Sequence, residues 1–190
     1  MRRFGFTLAE LLIALLVLGV IATFTIPKVL NTQQSSKYNS IAKEAAGMMS
    51  EALLVEKALN GGGQILIEDI RQHVNYVSRT TVGTMDGNPG SGNISCSNAS
   101  NRCYLLHNGA ALAYGTLINC IDTTNPLSAT AFFIDPDGVG DDAVDAVAFY
   151  IYNSGRLRTR ETIETNTDLC TANTNLNPLA SSDPTWFSWD

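Results

Sequence analysis

The sequence predicts an α+β fold, in which one long N-terminal helix is followed by an antiparallel β-sheet. Three observations predict this class. An apolar run near the chain start is followed by an amphipathic stripe that ends at Gly61–Gly63. Short apolar runs rich in β-branched and aromatic residues begin near Cys103. An Asn-Gly pair lies between two of these runs, and that pair is typical of a β-hairpin turn.

The first element is a predominantly apolar run from Phe6 to Ile26, preceded by a short basic head. Its 21 residues would form a helix of about 31 Å, which matches the ~30 Å hydrocarbon core of a bilayer. No small-residue cleavage site of the ordinary secretory type follows it. We therefore predict a membrane-spanning helix, with Arg2 and Arg3 cytoplasmic and the C-terminal bulk outside the inner membrane.

Glu10 is the one charged residue in this run. An ionised carboxylate within a bilayer costs roughly 2.5–3.5 kcal/mol even on lenient insertion scales. A plain anchor has no use for such a residue, so Glu10 is expected to have a partner. The alternative is a single-span anchor whose Glu10 reaches toward the lipid headgroups.

Residues 1–27 resemble the class III signal of type IV prepilins and type II secretion pseudopilins. The shared features are a basic leader ending in Gly5, then Phe-Thr-Leu-x-Glu-Leu from Phe6, and an apolar stretch. The resemblance implies that a prepilin peptidase cleaves between Gly5 and Phe6 and methylates the new Phe6 amine. It also implies a pilin-like fold with three parts: a leader over 1–5, a transmembrane and assembly helix over 6–27, and a periplasmic or extracellular globular domain over 28–190.

The resemblance further assigns assembly roles. Glu10 lies where the family has its glutamate, and Gly19 and Pro27 lie where pilins often carry helix-loosening residues. In a stack of offset subunits, Glu10 of one copy would meet the Phe6 amine of its neighbour, a pairing that fixes register more than it adds stability. The implied partners are identical or homologous pilin subunits, an inner-membrane assembly platform and, before assembly, the inner membrane. The destination would be a cell-surface or periplasmic filament.

Three functions remain open, and the first two are implied by the resemblance. The first is a structural subunit of a type IV pilus-like filament. The second is a type II secretion pseudopilin or a minor tip pilin with a ligand-binding C-terminal domain. The third is a membrane-anchored periplasmic enzyme. No catalytic motif is visible, so we expect no enzyme and no required cofactor.

The helix is predicted to resume after Pro27 and to run to about Asn60. Its amphipathic stripe consists of apolar residues three and four apart: Ile41, Ala45, Met48, Met49, Ala52 and Leu59. A second short helix is predicted over residues 65–78. A loop rich in Gly, Asn and Ser is predicted from Gly83 to Asn101.

Four further runs are predicted as strands. The first two, Cys103–Leu106 and Ala110–Tyr114, flank His107-Asn108-Gly109. The others are Ala129–Asp135 and Val147–Tyr152, the latter turning at Asn153-Ser154-Gly155 into Arg156–Arg160. The tail from residue 161 has no clear period, and its terminal Trp186, Phe187 and Trp189 are expected to cap the core or the sheet edge. A contact surface for a neighbour or ligand is the alternative for these aromatics.

Charge argues against a nucleic-acid function. Removing Arg2 and Arg3 leaves ten basic against eighteen acidic side chains, a net charge of −8. A domain of that charge has no general attraction to a polyanion. Arg156, Arg158 and Arg160 alternate along one predicted strand and would form a solvated face.

The four cysteines are Cys96, Cys103, Cys120 and Cys170. An exported location favours two disulfides, for which three pairings exist. We favour Cys96–Cys103, which are close in sequence, with Cys120–Cys170 as the second bridge. A zinc site is the weaker alternative, because no Cys-x-x-Cys pair is present.

An acidic loop, residues 135–145 (DPDGVGDDAVD), is called the Asp loop below. It contains five carboxylates, those of Asp135, Asp137, Asp141, Asp142 and Asp145. Clustered oxygen ligands with interspersed glycines favour Ca²⁺, and the run resembles the calcium loops of thrombospondin type 3 repeats. The EF-hand pattern is incomplete, since Ala146 occupies the place of the bidentate Glu. A calcium site is therefore a prediction, and a solvated Asp/Gly turn is the alternative.

Overall fold

In the computed structural model the described residues are 7–61, 63–85, 94–97, 101–115, 120–122, 129–140, 144–159 and 183–189. The chain divides into two compact units, Met1–Lys37 and Tyr38–Asp190. Helix α1, Leu8–Asn60, contributes to both units. The helix ends where Gly61 adopts a positive φ of 66°, a conformation that suits glycine and stops the helix, as the sequence predicts.

The described residues after α1 form one short helix and ten strands. Their bounds are β1 Gln64–Leu66, α2 Ile67–Arg71, β2 Tyr76–Thr80, β3 Thr84–Met85, β4 Ile94–Ser95, β5 Asn101–Leu106, β6 Ala111–Gly115, β7 Cys120–Asp122, β8 Ala129–Asp135, β9 Val147–Tyr152 and β10 Leu157–Arg158. A long helix followed by antiparallel strands confirms the predicted α+β fold.

The main sheet has six antiparallel strands in the order β10-β9-β8-β6-β5-β2. Hairpins join β5 to β6 and β9 to β10, both at the turns that the sequence predicts. Two small ladders lie outside this sheet, one pairing β1 with β7 and one pairing β3 with β4. Within the described part, β2 and β10 are therefore the outer strands of the main sheet.

The second half of α1 packs against this sheet through a face of mostly small residues. Its buried positions are three or four residues apart: Ala42, Ala45, Ala46, Met49, Ala52, Leu53 and Glu56. Short alanine side chains let a helix approach closely, so the sheet supplies the bulk of the core. The sheet's share of that core includes Leu112, Tyr114, Phe132, Ile134, Val147, Phe149 and Ile151.

Both faces of the central strands are buried. In β9, Phe149 and Ile151 lie in the core shared with α1, whereas Tyr150 and Tyr152 belong to a separate cluster with Ala129 and Ala131. A strand covered on both sides needs no polar alternation, and this explains why Val147–Tyr152 is a continuous apolar run.

The predicted second helix over 65–78 is wrong over most of its length. Only Ile67–Arg71 is helical, and Gln64–Leu66 and Tyr76–Thr80 are strands. Ile65 is fully buried in the ladder with β7, which overrides a helical pattern of only a few residues. Tyr76 and Thr80, an aromatic and a β-branched residue, pair with Leu106 and Cys103 of β5.

Two smaller predictions are also wrong. Leu59 does not belong to the buried stripe, since it is 70% exposed at the last turn of α1. The loop predicted from Gly83 to Asn101 contains the β3–β4 ladder, and Asn101 already begins β5. A strand of two residues is too short to show the alternation of apolar and polar residues by which strands are predicted.

The β9–β10 turn packs closely against α1 at Gly155, and this close contact predicts the effect of a substitution there. Gly155 has φ 80°, and a Cβ there would lie 3.2 Å from Ser50 Oγ and 3.3 Å from Leu54 Cδ2. We expect Gly155→Ala to lower the free energy of unfolding by about 1–3 kcal/mol. Gly47→Ala is the control, because a Cβ at Gly47 meets nothing within 4 Å and alanine favours a helix. Equal melting temperatures for the two variants would contradict the close contact between the β9–β10 turn and α1.

Candidate assembly interface

The first part of α1 presents apolar side chains without protein cover. From Leu8 to Leu30 its large apolar residues are about half to three-quarters exposed, for example Leu8 at 77% and Phe24 at 76%. This is the one helix in the described residues that is long and apolar enough to cross a membrane. Such a continuous apolar surface requires lipid or another protein around it.

Glu10 has a partner within its own chain. The Thr7 backbone N–H and the Thr7 hydroxyl donate to Glu10 Oε2, at 2.8 and 2.9 Å. In return, the Glu10 backbone N–H donates to Thr7 Oγ1 at 3.3 Å. Since α1 begins at Leu8, Thr7 is its N-cap and Glu10 its third residue, which together form a capping box. The carboxylate also lies at the positive end of the helix dipole.

The capping box can be predicted from the sequence. A Thr followed three residues later by a Glu, directly before an apolar run, is the signature of a capping box. The intrachain cap means that Glu10 does not by itself require a second subunit. The role of Glu10 in register stays a prediction, and so do the assembly roles of Gly19 and Pro27. Gly5 and Phe6, the predicted processing residues, lie outside the described residues.

Polar groups along the apolar segment bond to its own backbone. Thr23 Oγ1 donates to the Val20 carbonyl at 2.7 Å, and Thr25 Oγ1 donates to the Ile21 carbonyl at 3.0 Å. These bonds lower the cost of placing hydroxyls in a lipid environment. Pro27 cannot donate to the Thr23 carbonyl, yet the helix continues through it, so the helix is not broken at Pro27.

Hydrogen bonds at several positions along the second part of α1 connect it to the rest of the globular unit. Ser50 Oγ donates to the Gly155 carbonyl at 2.6 Å, and Lys57 Nζ donates to the Asn153 carbonyl at 3.1 Å. Nearer the start of the globular unit, the Ser188 N–H donates to Asn39 Oδ1 at 3.4 Å. The helix is therefore an integral part of the globular unit from Tyr38 onward.

Glu56 is the buried acid of this helix, and its charge is satisfied locally. One carboxylate oxygen lies 2.6 Å from Nε2 of His73, and the other accepts a hydrogen bond from the Asn60 side-chain amide. His73 therefore has a hydrogen-bonding partner within the globular unit. His107 is exposed in the β5–β6 turn.

The C-terminal aromatics close the core, as predicted. Phe187 is buried and stands edge-on to Phe149 at a centroid distance of 5.4 Å. Trp186 packs edge-on to Tyr38 of α1 and donates from Nε1 to the Asp145 carbonyl. Trp189 also stands edge-on to Phe149 while remaining 45% exposed.

One of the two predicted disulfides is present. Cys96 and Cys103 are bonded, with their Cα atoms 5.5 Å apart, and the bridge links the residue that follows β4 to β5. Both sulfurs lie in a second small core with Met85, Ala111 and Ala113. Cys120 belongs to β7. The predicted partner of Cys120, Cys170, lies outside the described residues, so the Cys120–Cys170 bridge stays a prediction.

The Asp loop begins at the end of β8. Asp135 is buried, whereas Asp137 and Asp145 are exposed, and Asp141 and Asp142 lie outside the described residues. No set of three or more acidic, His or Cys side chains converges as a metal site in the described part of the chain. The calcium site built from Asp135, Asp137, Asp141, Asp142 and Asp145 therefore stays a prediction.

Thermal unfolding with and without calcium tests that site. If the Asp loop binds Ca²⁺, millimolar calcium will raise the melting temperature of the full chain through preferential binding to the folded state. Replacing Asp137 and Asp141 by Asn will abolish the rise and leave the calcium-free midpoint nearly unchanged. A melting temperature of the parent protein that does not change with calcium would contradict calcium binding by the Asp loop.

Two arginines of the predicted arginine face lie among the described residues of the β9–β10 hairpin. Strand β10 comprises Leu157 and Arg158, and Arg156 precedes it with its guanidinium 4.6 Å from the centroid of the Tyr152 ring. Arg160 lies outside the described residues. A guanidinium stacked on the neighbouring tyrosine is a surface packing arrangement, which agrees with a solvated strand face.

Comparison with known proteins identifies the N-terminal segment. Residues 1–26 match the family model described as the prokaryotic N-terminal methylation motif. The match contains the predicted processing residues Gly5 and Phe6 and the capped acid Glu10. No curated protein and no solved structure matches the chain significantly.

Proposed function

We propose, from the premise that residues 1–26 are the class III signal peptide of type IV pilins and pseudopilins, that this protein is a structural subunit of a type IV pilus-like filament. Its N-terminal helix anchors it in the inner membrane and later packs against the helices of other subunits. Prepilin peptidase and an inner-membrane assembly platform are the partners that this route requires.

One observation carries the proposal. The exposed apolar segment of α1 and the buried alanine face of α1 belong to a single helix, Leu8–Asn60. A membrane anchor needs only the first of these parts, with any linker behind it. Here the helix that would enter a bundle continues into the core of the globular unit. This is what a filament subunit requires.

Processing would change the electrostatics at the tip of the helix. Cleavage after Gly5 removes Arg2 and Arg3 and leaves an amine on Phe6, one turn from Glu10. The cap on Glu10 comes from Thr7, which remains after cleavage, so the carboxylate stays ordered and oriented. In a low-dielectric bundle, that carboxylate can pair with the amine of a neighbouring copy and select one axial offset.

A pseudopilin of a type II secretion system and a minor tip pilin are the alternatives within the same class. The partly exposed Trp189 offers a ligand surface for a tip subunit, but Trp189 also packs on Phe149, which favours a structural role. We propose no enzymatic activity and no required cofactor.

Filament isolation from the native host tests the proposal. Sheared surface fractions should contain this chain in polymers, abundantly for a major subunit and sparsely at tips for a minor one. Polymers confined to the periplasm would indicate the secretion alternative. A chain that remains monomeric in the inner membrane, in cells that carry an intact assembly system, would contradict a filament role.

A further inference from the structure

Residues 184–189, called the aromatic strap below, contact α1 at the first residues of the globular unit. The Trp186 ring stands edge-on to the Tyr38 ring, with the two centroids 6.1 Å apart. Two residues further along the strap, the Ser188 N–H donates to Asn39 Oδ1 at 3.4 Å. Because the globular unit begins at Tyr38, both contacts are made to its first two residues.

The same strap is anchored on the main sheet. Phe187 is buried and stands edge-on to Phe149 of β9, with the ring centroids 5.4 Å apart. Trp186 Nε1 donates to the Asp145 carbonyl at 3.1 Å, two residues before β9 begins. Trp186 therefore contacts α1 through its ring and the segment that leads into β9 through its N–H group. The strap thus connects β9 with the start of the globular part of α1.

The turn of α1 that the strap contacts is only partly covered by the core. The buried residues of α1 begin at Ala42. In the turn before it, Tyr38, Asn39 and Ile41 are partly buried, whereas Ser40 is exposed. The contacts of the strap therefore add to the stability of a turn that buries less apolar surface than the turns after it.

The strap is held less firmly than the strands of the sheet. It belongs to no helix or strand, and the Phe187 N–H closes a single turn by donating to the Pro184 carbonyl at 3.0 Å. Ser188 and Trp189 are exposed, and 3.4 Å is long for the hydrogen bond between Ser188 and Asn39. Segments with few buried side chains and exposed hydrogen bonds open locally at a lower free energy than the whole fold. We therefore expect the strap to open while the sheet stays folded.

We propose that the aromatic strap is a clamp that opens and closes in the folded subunit and sets the residue from which the globular unit holds α1. With the clamp closed, the unit holds α1 from Tyr38. With the clamp open, the hold begins at Ala42, and residues 38–41, about one helical turn, become free to change conformation. The consequence for a polymer rests on the proposed function, since a subunit with a weakened clamp holds its assembly helix through one turn less.

Amide hydrogen exchange of the full chain in detergent tests the clamp without any filament. If the clamp opens by itself, residues 38–45 of the wild type will exchange about tenfold or more faster than residues 49–56, after correction for intrinsic rates. The range extends to residue 45 because a frayed turn also frees the N–H groups of the turn that follows it. Equal protection of the two ranges would show that the clamp does not open, and would overturn the proposal.

Trp186→Ala removes both the ring that meets Tyr38 and the hydrogen bond to Asp145. Exchange over residues 38–45 should rise by a further factor of about ten, while exchange over residues 49–56 stays within about twofold of wild type. An unchanged exchange rate over residues 38–45 would contradict the clamp. An equal rise over both ranges would also contradict it, because Trp186 would then stabilise the fold as a whole.

Trp189→Ala is the matched control, because it removes the same kind of side chain from the same strap. The Trp189 ring stands edge-on to Phe149, and its Nε1–H group donates to Thr159 Oγ1 at 3.2 Å. Neither partner belongs to α1, so exchange over residues 38–45 should stay within about twofold of wild type. A rise as large as that of Trp186→Ala would show that the strap has no specific effect on α1.

Asn39→Ala gives an independent check from the side of the helix. It removes the acceptor of the Ser188 N–H bond and leaves both tryptophans in place. Because one long hydrogen bond is lost, exchange over residues 38–45 should rise by about two- to fivefold, less than in Trp186→Ala. A variant that exchanges at the wild-type rate would remove this bond from the clamp and contradict the proposed hold from Asn39 onward.

Sheared filaments provide the second readout. Trp186→Ala should assemble to within about twofold of the wild-type yield, because the apolar segment and Glu10 are unchanged. At a fixed shear its filaments should be shorter than wild type by about half or more, whereas those of Trp189→Ala should keep the wild-type length. Trp186→Ala filaments of wild-type length would contradict a role of the clamp in the polymer. The proposed function fails separately, since in that case the wild-type chain forms no filaments, whereas the exchange rates are measured without them.

Discussion

Replacing Glu10 will stop filament assembly while leaving the globular unit folded. Glu10→Ala removes both the charge and the side of the capping box that Glu10 supplies. If the pairing with a neighbour's amine sets the register, Glu10→Gln will block assembly as well, because it removes the charge. Glutamine can still accept the Thr7 N–H bond, so the helix remains capped. We expect filament yields to fall by about 100-fold or more in both variants.

Thr7→Ala is the matched control for this prediction. It removes the hydroxyl that bonds Glu10 but keeps the carboxylate, and its cost to the helix is about 1 kcal/mol. Electron microscopy of sheared fractions should show filaments for Thr7→Ala and none for Glu10→Gln. The reverse pattern, with Glu10→Gln assembling and Thr7→Ala failing, would assign Glu10 a capping role only. Cleavage after Gly5 must be verified in each variant.

Phe149→Ala will produce the largest loss of stability in the globular unit. Phe149 is fully buried, is stacked on Phe132 at 5.6 Å, and meets both Phe187 and Trp189 edge-on. The cavity lowers the free energy of unfolding by about 3–5 kcal/mol, and the loss of the aromatic ring contacts lowers it further. The melting temperature of the chain in detergent should fall by about 10 °C or more.

Leu59→Ala is the control for the core, because Leu59 is exposed at the end of α1. Leu59→Ala should change the free energy of unfolding by no more than about 0.5 kcal/mol. Tryptophan emission of the Phe149→Ala variant should shift to longer wavelength, since Trp189 loses the ring on which it packs. A midpoint within about 2 °C of wild type would mean that the C-terminal aromatics do not close this core.

The sequence revealed those parts of the fold whose pattern is long or punctuated. Helix α1 ends within one residue of the predicted place because Gly61 interrupts it. Strands β8 and β9 have the predicted bounds, since turn residues flank their apolar runs. The ladders β1–β7 and β3–β4 were missed, because strands of two or three residues are held by tertiary pairing that no local pattern encodes.

The candidate site divides in the same way. The apolar segment and Glu10 were visible because a charge in an apolar run is conspicuous. The capping box was equally predictable, because Thr7 and Glu10 lie three residues apart directly before an apolar run. The pairing of Arg79 with Tyr104, and of Arg102 with Tyr114, could not be found from the sequence, because strand register brings these residues together.

The mass of the N-terminal peptide, taken from this protein in its native host, tests the central claim most directly. The account predicts a peptide that begins at Phe6 and carries one added methyl group on its amine. Residues 1–5 should be absent from the filament fraction. A chain in that host that still begins at Met1, although a prepilin peptidase is active there, would contradict the account.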